Sequence, residues 1–374
     1  MTAGAGSAVA DSVLTIDLDA LTANWRALAA KTPKAECGAT VKADAYGLGI
    51  ARVAPALWAV GCRTFFVAHL DEGIALRAIL PEATIHVFNG RRSGTDTEFV
   101  LHRLRPVLNT LEDLDAWAAL ARTREEVLPA TLHVDTGMSR LGLDRREAAR
   151  LIDAPDIARA AHVTTVMSHL ARAEDAGDPM NAAQLARFEA VRAVLPGVAG
   201  SLANTGGVLL GPAYQQDLMR PGIGLYGGEP FVAAEPVVTL GARILQVREI
   251  DAGETVGYGA TWTAARPSRI ATVACGYADG YIRAAGNRAH GRLAGVDVPM
   301  VGRVSMDLIT FDVTDVPAQT AHPGALIEMF GPGVRIDRAA DAAGTIAYEF
   351  LTRLGDRFER IYSGGHGGTG DARP

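Results

Sequence analysis

Residues 39–49 read Ala39-Thr40-Val41-Lys42-Ala43-Asp44-Ala45-Tyr46-Gly47-Leu48-Gly49, a short β-prone run that ends in one lysine and breaks into a glycine-rich turn. A lysine at the carboxyl end of a buried strand, with a phenol four residues on and glycines opening the next helix, can form a Schiff base beside a phosphate pocket. That combination points to pyridoxal phosphate. The segment alone leaves open a plainer alternative, a surface lysine at a strand end.

Working outward, strand-like runs recur at Ala39–Lys42, Thr64–His69, Ile85–Asn89, Pro106–Asn109, Thr131–Asp135, Val163–His169, Gly200–Asn204 and Asp217–Arg220. Helix-period segments such as Asp71–Leu80, Leu111–Arg122 and Asn181–Leu195 separate them. Eight βα units predict a (β/α)8 barrel of the TIM type. A doubly wound sheet would carry its glycine fingerprint early, and Gly222-Ile223-Gly224 comes far too late to serve as one. The runs close on Lys42, His69, Asn89, Asn109, Asp135, His169, Asn204 and Arg220. In a barrel these polar residues gather on the face where barrel enzymes keep their chemistry.

After Phe231–Pro236 the pattern changes to alternation, in Ala242–Ile250, Ile270–Cys275, Pro299–Thr310 and Leu326–Phe330. This predicts a mainly β C-terminal domain. The expected organisation is a disordered leader over 1–12, a cofactor-binding barrel over 13–234 and a β-rich domain over 235–374 with a flexible tail at 363–374. The first strand, 14–17, precedes a helix from about Asp19 to Ala30 and is a candidate to pair with the β domain instead of entering the barrel.

Composition narrows the function. At 374 residues the chain exceeds one ordinary core. Its formal charge of −6 and lack of a basic block offer nucleic acid no counterion-releasing surface, so a small-molecule partner is expected. No apolar run reaches membrane-spanning length, and the leader lacks the basic and apolar segments of a secretion signal. Cys37, Cys62 and Cys275 suit neither a disulfide framework nor a metal site, which fits a reducing cytoplasm.

Six ordered blocks then carry a resemblance: Val41–Gly47, Val134–Gly142, Met219–Gly227, Val256–Thr261, Gly276–Tyr281 and Val301–Asp307. Together they span nearly the whole chain, which resembles the alanine racemases, pyridoxal-phosphate enzymes of the barrel-plus-β-domain type. The resemblance implies that Lys42 carries the cofactor as a Schiff base and then serves as one catalytic base. Its pKa must fall from about 10.4 through burial and neighbouring positive charge. Tyr46, Thr205, Tyr348 and the backbone N–H groups of Gly222 and Ile223 would bind the phosphate. Asn204 and His169 complete the implied cofactor shell.

Arg220 would face the pyridine nitrogen, where related decarboxylases place a carboxylate. An arginine only donates, so that nitrogen stays an unprotonated acceptor and the ring a weaker electron sink. Tyr258 of the partner subunit would be the second base, with its pKa lowered through a chain running from Tyr258 by His169 to Arg220. Arg140 and the backbone N–H of Met306 would hold the substrate carboxylate, Tyr277 and Tyr348 would narrow the entrance, and Asp307 would support the region electrostatically. Leu48 and Ser201 stand where the family often has histidines, and His133 where it often has a carbamylated lysine that orients the carboxylate-binding arginine. A neutral histidine cannot supply that charge.

The resemblance thus implies a cytoplasmic homodimer with shared active sites that interconverts L- and D-alanine, supplying D-alanine for peptidoglycan or consuming it. A serine or broad-specificity racemase of the same fold is the alternative. Arg220 argues against a decarboxylase, and the β domain with Tyr258 and Met306 against a cofactor-carrier protein of the barrel alone.

Overall fold

The structure, a computed structural model, describes residues 10–365. Residues 1–9 of the expected leader and 366–374 of the expected tail lie outside the described residues, and Ser12 already opens a strand. The described chain forms two compact units. One comprises Thr22–Ala45 and Gly49–Leu225, and the other takes the residues up to Leu21, Tyr46–Leu48 and those from Tyr226 onward.

In the first unit seven parallel strands follow one another in chain order: Ala39–Thr40, Thr64–Val67, Thr84–Val87, Arg105–Leu108, Ala130–His133, Val163–Met167 and Ala199–Ser201. The eighth, Leu218–Met219, pairs in parallel with Glu36–Cys37. The N–H groups of Asp217 and Arg220 donate to Gly200 O and Ala203 O at 3.0 and 2.9 Å, and Thr40 N–H donates to Pro221 O at 2.9 Å. These bonds close the barrel. Gly38, between Glu36–Cys37 and Ala39–Thr40, leaves no room for a side chain, since a Cβ there would lie 2.8 Å from Phe66 Cε2 and 2.9 Å from Thr64 O.

The strands end one to three residues before the expected polar closers, so Lys42, His69, Asn89, Asn109, Asp135, His169, Asn204 and Arg220 all lie just past the ladders. The reason is local. His69 N–H goes to the Glu72 carboxylate rather than to a neighbouring strand, and Asn204 caps the helix Thr205–Leu209. The outer helices begin with side-chain caps: Thr110 Oγ1 accepts from Asp113 N–H ahead of Leu111–Arg124, and Asp178 from Met180 N–H ahead of Pro179–Ala193.

The second unit is built on an eight-stranded sheet. Its long strand Val238–Ile250 pairs antiparallel with Ser12–Asp17, Ser268–Val273 and Leu326–Phe330. Ser12–Asp17 also runs parallel to Glu359–Ser363. Residues 226–234, placed with the barrel on the sequence, bond here: Arg335 Nη2 donates to Gly227 O, and Glu229 N–H donates to Asp337 Oδ1. The expected strand Pro299–Thr310 is instead two strands, Val296–Pro299 and Ile309–Asp312, with an irregular stretch between. Gly302 at φ 80° turns the chain, and Val301 N–H donates back to Thr310 O.

Candidate active site

Lys42 opens a turn whose next four residues, Ala43, Asp44, Ala45 and Tyr46, have φ of 53°, 53°, 55° and 58°. This is a left-handed helical turn without a glycine until Gly47. Each such residue brings its Cβ against a carbonyl at about 1–2 kcal/mol, so the turn costs about 4–8 kcal/mol. Hydrogen bonds offset it. Ala43 N–H donates to Glu72 Oε1 at 2.6 Å, while Ala68 and His69 N–H donate to Glu72 Oε2 at 2.7 and 3.0 Å. Ile50 N–H donates to Asp44 Oδ1 at 2.7 Å. Farther on, Arg360 Nη1 donates to Gly47 O at 2.6 Å and Tyr362 to Leu48 O at 2.9 Å. Strain held this firmly is characteristic of functional sites.

The Lys42 ammonium lies 5.9 Å from the centre of the Phe88 ring. Burial, and then the Arg140 charge, hold its pKa below the usual lysine value, with Glu72 opposing them. Arg140 is exposed on the loop after Ala130–His133, which is shaped by Asp135 Oδ1 accepting from Gly137 and Met138 N–H at 2.8 Å each.

Arg220 is only 3% exposed, and its hydrogen-bond partners among the described residues are neutral. Nη1 donates to Ser201 Oγ at 2.6 Å, and Nη2 to Ser168 O at 2.6 Å and Leu202 O at 3.5 Å. Its Nε is buried with no partner among the described residues, and Phe66 lies 6.0 Å beneath Cζ. Burial pushes its pKa down to about 9, which still leaves it a cation at neutral pH.

His169 is half-buried and held neutral by burial, then by Arg220, Arg140, His133 and Lys42. His133 Nδ1 meets Asn109 Oδ1 at 2.9 Å, while Asn109 Nδ2 donates to Val107 O. With Oδ1 the acceptor, His133 carries its proton on Nδ1. Burial pushes its pKa down to about 4.

The residues expected at the anion turn lie together, with the Gly222 N–H engaged by Thr205. Thr205 Oγ1 accepts from Gly222 N–H at 3.0 Å and from Gly224 N–H at 3.3 Å, and Ile223 beside them is fully buried. Asn204 Oδ1 accepts from Gly207 N–H at 2.9 Å.

The β unit holds the remaining candidates. Tyr46 stacks on Tyr226 at 4.5 Å and lies 5.8 Å from Tyr348, and burial raises its pKa. Tyr277 and Ala278 N–H donate to Ser305 O and Met306 O at 3.0 Å each, so Tyr277 and Met306 are neighbours. Asp307 pairs with Arg357, which also bonds Asp279. Tyr258 stands on a short 3-10 turn, 72% exposed, with Met306 54% exposed.

Sequence reasoning missed the supporting groups Glu72, Phe66, Phe88, Ser168 and Tyr226. Glu72 had a signal: His69-Leu70-Asp71-Glu72 places an acid at the third helical position after an N-cap, a capping-box pattern.

Comparisons with known proteins accord with this geometry. The family model for the alanine racemase N-terminal domain matches residues 16–230, and that for the C-terminal domain matches 237–362. The alanine racemase of Rhodospirillum rubrum is 51% identical over 367 residues, covering 96% of this chain and 98% of that protein. That of Methylobacterium nodulans is 51% identical over 354 residues, covering 93% and 95%. Among solved structures, the alanine racemase of Bartonella henselae, with covalently bound pyridoxal phosphate, superposes with a TM-score of 0.90 at 41% identity, covering 95% of this chain and 100% of that one. The biosynthetic alanine racemase of Pseudomonas aeruginosa gives 0.85 at 36% identity over the same shares.

Proposed function

The chain belongs to the alanine racemase family, and from that premise we propose that it interconverts L- and D-alanine on pyridoxal phosphate with two bases, Lys42 and Tyr258 of the partner subunit. The observation that carries the proposal is Lys42 itself, fixed past a barrel strand by a strained turn, its amine made easier to deprotonate by burial and Arg140. The surrounding donors fit the group: a buried arginine whose Nε has no partner among the described residues, and a threonine hydroxyl at a turn of backbone N–H groups. Bound there, pyridoxal phosphate supplies an electron-withdrawing ring that makes the substrate α-proton acidic.

The chain's residues do the rest. Lys42, with its lowered pKa, takes or returns the α-proton on one face, and Tyr258 of the partner subunit does so on the other. Arg220 donates without accepting, so a ring nitrogen facing it is kept unprotonated. Thr205, Gly222 and Ile223, with Tyr46 and Tyr348, hold the phosphate, and Asn204 fixes the helix that carries Thr205. His169, kept neutral, relays between Tyr258 and Arg220. Arg140 and Met306 N–H bind the substrate carboxylate, with Tyr277 and Asp307 at the entrance. The enzyme acts as a homodimer in the cytoplasm, making D-alanine for the cell wall or consuming it. Among the described residues no helix is long and apolar enough to cross a membrane.

Borohydride reduction followed by peptide mapping, beside polarimetry on a panel of L-amino acids, tests the proposal. We expect the label on Lys42 and L-alanine racemised fastest. A label on another lysine overturns the cofactor assignment, and faster racemisation of serine overturns the substrate.

A further inference from the structure

Glu72 has no place in the chemistry derived above, yet it touches the segment that presents Lys42 from two sides. Its Oε1 accepts from Ala43 N–H, the first residue of the left-handed turn, at 2.6 Å, and its Oε2 accepts from Ala68 and His69 N–H just past the second barrel strand. One carboxylate therefore clamps the residue after the lysine to the adjoining strand end. We propose that Glu72 is a positioning residue for Lys42, fixing the turn that presents the amine and supplying a negative charge beside it that opposes the charge of Arg140. This rests on Lys42 being the reactive lysine of the site.

The two duties are separable by sign. Lys42 is acted on by burial, by the cation Arg140 and by the anion Glu72, and burial and neighbouring cations keep His169 neutral. A carboxylate beside an amine favours the ammonium. Removing that charge with the turn intact makes Lys42 more acidic. Glu72 as a purely structural clamp would behave oppositely: losing it would loosen the turn, wet the amine and let its pKa rise toward the ordinary lysine value.

The test uses full-length protein stripped of cofactor. Amine acylation at Lys42 is followed against pH by quantitative peptide mass spectrometry in wild type, Glu72→Gln and Glu72→Asp. Glutamine keeps an amide oxygen that accepts from Ala43 N–H and holds the turn, so we expect the midpoint to shift downward in Glu72→Gln, and to shift downward less in Glu72→Asp, which keeps the charge one methylene farther back. An unchanged or raised midpoint in Glu72→Gln overturns the proposal. Should that variant fail to fold by circular dichroism, Glu72→Asp decides alone: a downward shift upholds it, and no shift or an upward one overturns it. Borohydride mapping on the loaded wild type reports separately whether Lys42 is the cofactor lysine, so failure of one reading is not mistaken for failure of the other.

Discussion

Replacing Ala43 with glycine stabilises this protein, against the usual rule for alanine in a helical turn. Ala43 is exposed and its φ is 53°, so its Cβ fills no cavity and sits in the left-handed region. Removing that Cβ relieves about 1–2 kcal/mol. The added freedom of the unfolded chain costs about 0.5–1 kcal/mol. The net gain is about 0–1.5 kcal/mol, centred on about 0.75, and the bond from Ala43 N–H to Glu72 survives because it is made by the backbone. The control is Ala119→Gly, an exposed site inside the right-handed helix Leu111–Arg124, which loses about 1 kcal/mol. Urea midpoints of the two cofactor-free variants, measured beside wild type at unchanged slope, should move in opposite directions. If Ala43→Gly is destabilised as much as Ala119→Gly, the turn is not left-handed in solution and the strain argument falls.

Arg220→Glu introduces an acceptor that favours a protonated ring, so side reactions such as transamination should rise relative to racemisation while racemisation falls. An unchanged ratio in a folded, cofactor-loaded variant would refute the role given to Arg220. Mixing Lys42→Ala with Tyr258→Phe subunits should restore about a quarter of wild-type sites, since half the dimers are mixed and one site in each is whole; activity that stays at the level of the separate variants after proven exchange sinks the shared site. Between pH 6.5 and about 4 the unfolded chain binds a proton at His133 that the folded chain refuses, so stability falls as pH drops through that window and the contribution levels off below it. At 1.36 kcal/mol per unit this amounts to about 3 kcal/mol. His133→Asn should flatten the acid limb of a urea-midpoint profile, and an unaltered limb would show that His133 titrates normally.

The barrel was legible because its punctuation is chemical: a polar residue or glycine after each apolar run, then a helix with its own caps. The same punctuation misled at the ends. Residues such as Lys42 and His69 mark loops rather than ladders, and polarity alone does not say on which side of the last ladder bond a residue falls. The six motifs located the candidate chemistry, since a lysine, an arginine and several tyrosines stand in short recognisable blocks. What supports them was not legible. Ser168 acts on Arg220 through its backbone carbonyl, which any residue would offer. Ala43-Asp44-Ala45-Tyr46 contains no glycine or asparagine to announce four positive φ angles, and the Glu72 and Arg360 that bond Ala43 and Gly47 lie far along the chain. Likewise Pro299–Thr310 alternates like a strand, yet turns at Gly302.

The parallel pairing of Ser12–Asp17 with Glu359–Ser363 has a consequence for biosynthesis. A ribosome that has just made the first strand must add about 340 residues before that partner exists, and its other neighbour, Val238–Ile250, is itself more than half a chain away. At about 5–20 residues per second the first strand waits roughly 17–70 s. The barrel's parallel neighbours emerge one after another and can pair as they are made, whereas the β unit cannot close until residues 359–363 have been added. Through that interval Val13, Leu14 and Ile16, all buried in the finished sheet, remain available to any strand edge that reaches them first.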